Sequence, residues 1–329
     1  MSSIDVSIEG TGPGAWALAG RLARAGVRVG VASRGGHGAN ARVMAGYADG
    51  PHRLIAGLGE AVTKELMAFS LRGRELLWAI GEGRQAGGLH ATMGERESAE
   101  AEQAVQAHQL CGDPAELRPG NVPFGPGAFV LGDGVVEVAR LLATLRTRAL
   151  EAGAAETEET GEVRVLAGDW SHRQHEGVLE GALFPVRELS LGMAGGEPFQ
   201  HALRAQWGYL AAHWHEHLVV TGARWATPHL EVGESTLEVE PRVRAKLLGW
   251  ARQAFGVDEV LEERVSIETH TCDGLPLVGP MPGDPTTLVC TGFGRDEVPL
   301  ALASAEALAN GLLGEEVVLP SLLRPHRLV

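Results

Sequence analysis

The sequence predicts an α/β fold with a second, antiparallel-sheet lobe, and three observations predict it. Ile4 to Ile8 reads as a short strand, followed by Gly10-Thr11-Gly12-Pro13-Gly14-Ala15 and a helix to about Ala25, with a second strand from Val27 to Val31. This strand–glycine turn–helix–strand order is how a dinucleotide-binding βαβ unit begins. Residues 184 to 220 alternate between apolar and polar types, as antiparallel strands do. Near the end, a strand from Thr287 to Thr291 precedes an amphipathic helix marked by Val298, Ala301, Leu302, Ala305, Leu308 and Leu312.

The elements between follow in order. Ser33 to Gly50 is a glycine-rich loop, and the spacing of Leu54, Leu58, Val62, Leu66, Phe69 and Leu76 predicts a helix over Pro51 to Ile80. Gly87 to Met93 reads as a strand and Glu95 to Leu110 as a polar helix. Asp133-Gly134 is expected to open a helix whose Val138, Leu142, Leu145 and Ala149 form one apolar stripe. A short acidic run, Glu156 to Glu162, leads to a strand from Val163 to Ala167, and Arg242 to Phe255 is a helix.

Composition limits the function classes. The 329 residues are 44% hydrophobic, enough for a substantial core, and include 45 glycines, about twice the usual share of ~7%. The formal charge of −14 repels phosphate backbones, and no basic run offsets it, so nucleic acid is excluded as a partner. The N-terminus lacks the basic and apolar regions of a signal peptide, and no stretch approaches the ~18 apolar residues of a membrane span. Three cysteines without a CxxC pair fit a reducing compartment, so the expectation is a cytoplasmic protein with no disulfide framework.

At the C-terminus, Asp273-Gly274-Leu275-Pro276-Leu277-Val278-Gly279-Pro280 and then Thr291-Gly292-Phe293-Gly294 before a helix resemble the FAD-dependent D-amino-acid oxidase family, with glycine and sarcosine oxidases among its members. Gly38-Ala39-Asn40-Ala41, Gly87-Gly88-Leu89, Ala167-Gly168-Asp169-Trp170-Ser171, Pro185-Val186-Arg187 and Gly222-Ala223-Arg224 are similar to family segments in the same order. The resemblance implies a Rossmann-like FAD/NAD(P)-binding fold, truncated, assembled from residues 1–50, 130–175 and 270–329. The inserted antiparallel-sheet ligand domain would comprise 51–129 and 176–269.

The same resemblance exposes departures that bear on flavin. Gly10, Gly12 and Ala15 keep the pyrophosphate turn, but Ser33 falls where an acid would grip the adenosine ribose, and Arg34 beside it suits a 2′-phosphate. His37 and Arg42 fall where a small hydroxyl residue and a closing glycine would approach the flavin. Gly292-Phe293-Gly294 continues into Arg295-Asp296-Glu297, where Asp296 reads as an N-cap with Pro299 in the first turn. Only the acidic link stands where several further strands are implied, and Glu268 stands where the family's carboxylate-clamping arginine would be.

Other patterns add little chemistry. His213, His215 and His217 would share one face of a strand but span about 13 Å at a ~3.3 Å rise, so a solvated hairpin is expected and no metal site. No G-x-S-x-G elbow or Ser–His–Asp order supports hydrolysis, and no catalytic residue is assigned. Trp207, Trp214 and Trp225 fall in the predicted sheet, where they would either fill the core or wall a ligand pocket, with Glu268 facing a cationic group.

Two functions follow. One is a peptide- or small-molecule-binding accessory protein without a cofactor, set in natural-product peptide biosynthesis of the crocagin type; it would use an inter-lobe cleft or a sheet edge, and a homodimer is compatible with it. The alternative is an FAD-dependent amine or amino-acid oxidase, in which Gly10, Gly12, Ala15, Ser33, Arg42, Gly292 and Gly294 hold the flavin and hydride passes from a substrate C–H to flavin N5.

Overall fold

The computed structural model describes residues 4–32, 42–44, 50–120, 124–168, 177–205, 210–294 and 297–328. Its first sheet has six strands in the spatial order β16–β17–β10–β1–β2–β9. Strands β1 (Val6–Glu9), β2 (Val29–Ala32), β9 (Ala155–Glu156), β10 (Val163–Ala167) and β17 (Asp284–Thr291) run parallel, and β16 (Leu277–Met281) is antiparallel to β17. Every residue of β1 and β2 is buried, as expected of parallel strands covered on both faces.

Helices α1 (Pro13–Arg24), α6 (Val138–Glu151) and α10 (Glu297–Leu313) share one core with these strands, through Trp16, Leu18, Leu22, Leu141, Leu145 and Ala301. Helix α3 (Glu60–Ile80) lies against α10 at Gly73, where a Cβ would stand 1.8 Å from the Pro299 carbonyl oxygen. Only glycine allows the two backbones to approach so closely.

The second sheet has eight strands, in the order β15 (Val260–Thr271), β11 (Leu183–Met193), β14 (Leu218–Gly222), β13 (Leu210–Trp214), β12 (Ala202–Ala205), β5 (Gly88–Ala91), β7 (Gly127–Val130) and β6 (Ala115–Arg118). All neighbours are antiparallel except β12 and β5. One face packs on helix α9 (Pro241–Phe255), burying Leu189, Leu191, Leu203, Leu210 and Val220 against Val243, Leu247 and Trp250. A small sheet joins β3 (Arg42–Met44), β8 (Gly134–Val136) and β4 (Gly83–Arg84). Short helices α2 (Pro51–Leu58), α4 (Glu95–Ser98), α5 (Ala101–Leu110), α7 (Gly177–Glu180) and α8 (Pro228–Glu231) complete the described α-helices.

Several expectations are corrected. The helix expected over Pro51–Ile80 is two helices, because Gly59 takes a φ of 84° between them. The helix expected over Glu95–Leu110 is likewise α4 and α5. Asp133-Gly134 does not open a helix: Gly134–Val136 pairs as β8, and α6 begins only at Val138. Residues 157–162 carry no strand, and among the described residues the strand beside β2 on that side is the two-residue β9. No helix of the described residues is long and apolar enough to cross a membrane.

Candidate functional site

Alternation along the strands gives the eight-stranded sheet a second face opposite α9. Glu188, Ser190, Arg204, His213, Thr221, Ser266 and Glu268 lie on it, and all are buried. Adjacent strands put these groups in register: Glu188 stands opposite Ser266, Ser190 opposite Thr221, and Arg204 beside His90. The Ser190 and Thr221 hydroxyls bond each other at 2.8 Å. A buried polar face on a central sheet costs free energy unless its groups are partnered, so it is the place to look for function.

At one end of this face, Glu268 forms a closed cluster. Its Oε2 lies 3.0 Å from His270 Nε2 and 3.5 Å from Arg224 Nη1, and Arg224 Nη1 is 3.4 Å from the same imidazole nitrogen. The His270 ring stacks on Phe184 at 6.0 Å and bears directly on Gly294, where a Cβ would stand 2.8 Å from His270 Cε1. The Oε2 atom of Glu268 therefore already has cationic and imidazole neighbours from within the protein. Its carboxylate is engaged by a guanidinium from the turn after β14 and by an imidazole of its own strand.

The flavin that the resemblance implies would meet this chain at two places. The pyrophosphate half fits: α1 begins at Gly12 with no side-chain cap and no acidic residue in its first turn, so its N-terminal field favours an anion. Gly10, with φ 136°, is fixed independently of any ligand, because a Cβ there would lie 1.9 Å from the Ala167 carbonyl oxygen of β10. On the ring side, one contact bears on the fit. Gly294, expected to approach the isoalloxazine, is covered by the His270 ring. On the adenosine side, Thr157 donates its N–H to the Val31 carbonyl at 3.1 Å and closes the edge of β2.

At the other end of the polar face is a cavity of about 60 Å³ lined by His52, Arg53, His90, Glu97, Glu100, His108 and Arg204, among others. It lies where β5 and β12 meet the start of α2, the end of α4 and the buried face of α5. Behind it, His108 Nδ1 sits 3.0 Å from Asp113 Oδ2, and Arg74 holds the other oxygen of that carboxylate. Burial works against the Asp113 charge, but the bonds from His108 and Arg74 prevail and hold its pKa below the ordinary value. The His90 and His108 rings meet edge to face at 5.7 Å. Burial, reinforced by His108 and Arg204, holds His90 well below the usual imidazole range. His90 Nε2 lies 3.8 Å from Asp133 Oδ2, a carboxyl that burial pushes up to about 8.

Of the residues singled out from sequence, Gly10, Gly12 and Ala15 come together at the mouth of the parallel sheet, while Gly294 and Glu268 meet at His270 and Gly292 lies against Thr271. Ser33, Arg34, His37, Trp207, Arg295 and Asp296 lie outside the described residues, as does the side chain of Arg42. Trp214 lies in the sheet as expected, on β13, and packs with the α9 core on the face opposite the polar groups. Trp225 is corrected, since it sits 38% exposed in a 3-10 turn over Arg224–Ala226 and not in the sheet. The three histidines diverge, His213 being buried, His215 bonding Glu137 at 2.8 Å and His217 facing Glu262 at 3.4 Å. Sequence reasoning missed Arg204 and His90. The signal was there in the alternation of Ala202 and Arg204 with Leu203 and Ala205, which puts a charge on one face of a short strand.

A family model described as FAD dependent oxidoreductase matches residues 15–310. Among solved structures, the chain is similar to glycine oxidase from Geobacillus kaustophilus, with TM-score 0.77, 19% identity and 98% of each chain covered. Glycine oxidase from Bacillus cereus aligns at TM-score 0.79 and 16% identity, over 98% of this chain and 97% of that one. L-proline dehydrogenase from P. horikoshii aligns at TM-score 0.78 and 13% identity, over 99% and 98%. The sequence matches no curated protein. At such identities the structural likeness speaks for the fold, and the family match, which spans most of the chain, speaks for descent: this protein belongs to the FAD dependent oxidoreductase family.

Proposed function

We propose that the chain is a ligand-binding member of this family that does not hold flavin, and that it serves as a peptide-binding accessory protein in the biosynthesis of a ribosomally made natural product. The observation that carries the reading is the Glu268–His270–Arg224 cluster. An acid stands where the resemblance puts a carboxylate-clamping arginine, and the imidazole beside it covers Gly294. The short edge at β9, where the resemblance implies further strands, offers backbone groups suited to strand addition by an extended peptide.

The test is a visible absorption spectrum of the purified protein, before and after incubation with excess FAD and desalting. A colourless protein that takes up no flavin is the expected result. Stoichiometric flavin in either sample overturns the reading.

One observation favours a second reading, an FAD-dependent amine or amino-acid oxidase: the uncapped, acid-free N-terminus of α1 behind Gly10 and Gly12. On that reading Glu268→Gln abolishes activity while FAD is retained, and unchanged kinetics remove Glu268 from any substrate-binding role.

A further inference from the structure

The eight-stranded sheet ends in two edges of different character. At one end β15 carries Glu262, Glu263 and Arg264 in its exposed half, and its pairing with β11 shifts register between Gly192 and Met193. Charges and bulges are the usual means of keeping an edge from pairing with another chain. At the other end β6 pairs with β7 without a register shift and contains no proline, and Leu117 in its middle is 46% exposed. Its two charges are of opposite sign, Arg118 donating to Glu116 at 2.8 Å. Among the described residues no strand pairs with the outer side of β6.

The register shows which backbone groups this edge offers. Leu131 donates its N–H to the Pro114 carbonyl at 2.9 Å, and Ala115 stands opposite Val130. Bonded and non-bonded pairs alternate along antiparallel strands, so Glu116 and Arg118 turn their backbone groups inward to β7 while Ala115 and Leu117 turn theirs outward. The Ala115 carbonyl is already met by Gln109 Nε2 at 2.8 Å. The edge therefore offers the Ala115 N–H, both groups of Leu117 and, next in the alternation, the carbonyl of Pro119, a residue with no N–H.

This set is its own complement. A second copy of β6 laid antiparallel about Leu117 puts Leu117 opposite Leu117, exchanging two N–H···O=C bonds, and Ala115 opposite Pro119. There the Ala115 N–H meets the Pro119 carbonyl, while the carbonyl that Gln109 holds faces the one residue with no N–H to give. Glu116 stands across from Arg118 of the second copy, and Arg118 across from its Glu116, so the pair within each strand becomes a ring of four alternating charges. Helix α5 lies over both β6 and β7, through Val105, Ala115, Ala128 and Val130. With strands ~4.8 Å apart, two such helices come to about 10 Å across the seam, the distance at which helices pack. Because β6 runs back along α5, exposed Gln106, one turn from Gln109, then lies near the two-fold axis.

We propose that the outer edge of β6 is a homodimer interface, at which two copies of the chain join antiparallel about Leu117 into one continuous sheet, with their α5 helices side by side on one face. The proposal is independent of the ligand-binding reading above and stands or falls without it.

The experiment is sedimentation velocity of the full chain over a concentration series. The wild type is expected to rise from the 34.7 kDa of one chain towards twice that mass between roughly 5 and 300 µM, the weak range of a small seam. Leu117→Pro removes the outward N–H at the axis, and it is expected to stay a monomer throughout. Charge variants decide the matter should that one fail to fold. Glu116→Arg and Arg118→Glu each set like charges across the axis and are expected to weaken self-association at least tenfold. Mixed together they are expected to associate as the wild type does, because every charge again meets its opposite in the other chain. The pair within each strand is lost in both variants, so a merely structural role for Glu116 and Arg118 would not produce that rescue. A wild type that remains monomeric throughout the series, a dimer that Leu117→Pro leaves intact, or a mixture that associates no better than its components overturns the proposal.

Discussion

Asp133 gives the sharpest test of the energetics around the cavity. Its side chain is fully buried. Oδ1 accepts the Gly134 N–H at 3.0 Å, while Oδ2 makes no hydrogen bond and lies over Gly88, where a Cβ would stand 2.4 Å from it. Burial raises its pKa from the ordinary 3.8 to about 8, against the opposing pull of Arg204 and Arg74. The sign follows directly. Below 3.8 the carboxyl is protonated in both states and the folded protein is at its most stable in this respect. Between 3.8 and about 8 the unfolded chain releases a proton that the folded chain keeps, so stability falls as pH rises, by about 1.4 kcal/mol per pH unit. Above the folded pKa the loss is complete. At neutral pH this amounts to about 4 kcal/mol.

Asp133→Asn keeps the acceptor for Gly134 and removes the ionisation. Its amide N–H groups carry a cost of about 1–3 kcal/mol that does not vary with pH, so the test is the slope of the difference and not its absolute size. Urea unfolding of both proteins at half-unit steps from pH 4 to 9 measures it. The variant is expected to gain on the wild type by about 1 kcal/mol or more per unit through the middle of that range, levelling off near pH 8. Parallel curves would show that Asp133 titrates normally and refute the reasoning.

Three further outcomes are expected. Gly73→Ala forces α3 away from the Pro299 carbonyl and costs about 2–3 kcal/mol in the same urea assay, and a loss under 0.5 kcal/mol would show that the two helices separate freely. Glu231→Ala strands the buried Arg187 guanidinium, now paired with Glu231 at 2.9 Å, for a loss of about 3–5 kcal/mol; the double change Arg187→Met, Glu231→Leu is expected to recover most of it, as buried pairs exchanged for apolar residues generally do. Among the three cysteines only Cys272 is exposed, while burial pushes the Cys290 thiol up to about 12 and also raises Cys111. A thiol reagent should therefore titrate one cysteine in native protein and three in urea, and two or more reactive thiols in the native state would contradict that burial.

Much of the parallel sheet was legible because its signals are local. Val6 to Ile8, the glycine turn and Val29 to Val31 lie within thirty residues and state their own geometry. The misreadings arose where a local signal met a competing long-range partner. Asp133-Gly134 looks like a helix start beside an apolar stripe, but Arg42–Met44 claims Gly134–Val136 as a strand. Glu268 was visible as an acid out of place, yet its neutralisation by Arg224 depends on a turn 44 residues earlier. The cavity was invisible for the same reason: His52, His90, His108 and Arg204 come from four separate elements, and no spacing along the chain relates them.

The way the six-stranded sheet is threaded has a consequence for synthesis. Val6 hydrogen-bonds beside Val163, and Arg164 in turn beside Thr287, so the central strand made first has to wait for half the chain, and its neighbour for nearly all of it. Helix α1 then finds α10 only when Ala301 arrives against Gly14. A nascent chain that stops short of β17 therefore exposes an open sheet edge and an apolar helix face together. Folding of this lobe is dominated by distant pairings, slow by topology and dependent on protection of that edge in the meantime.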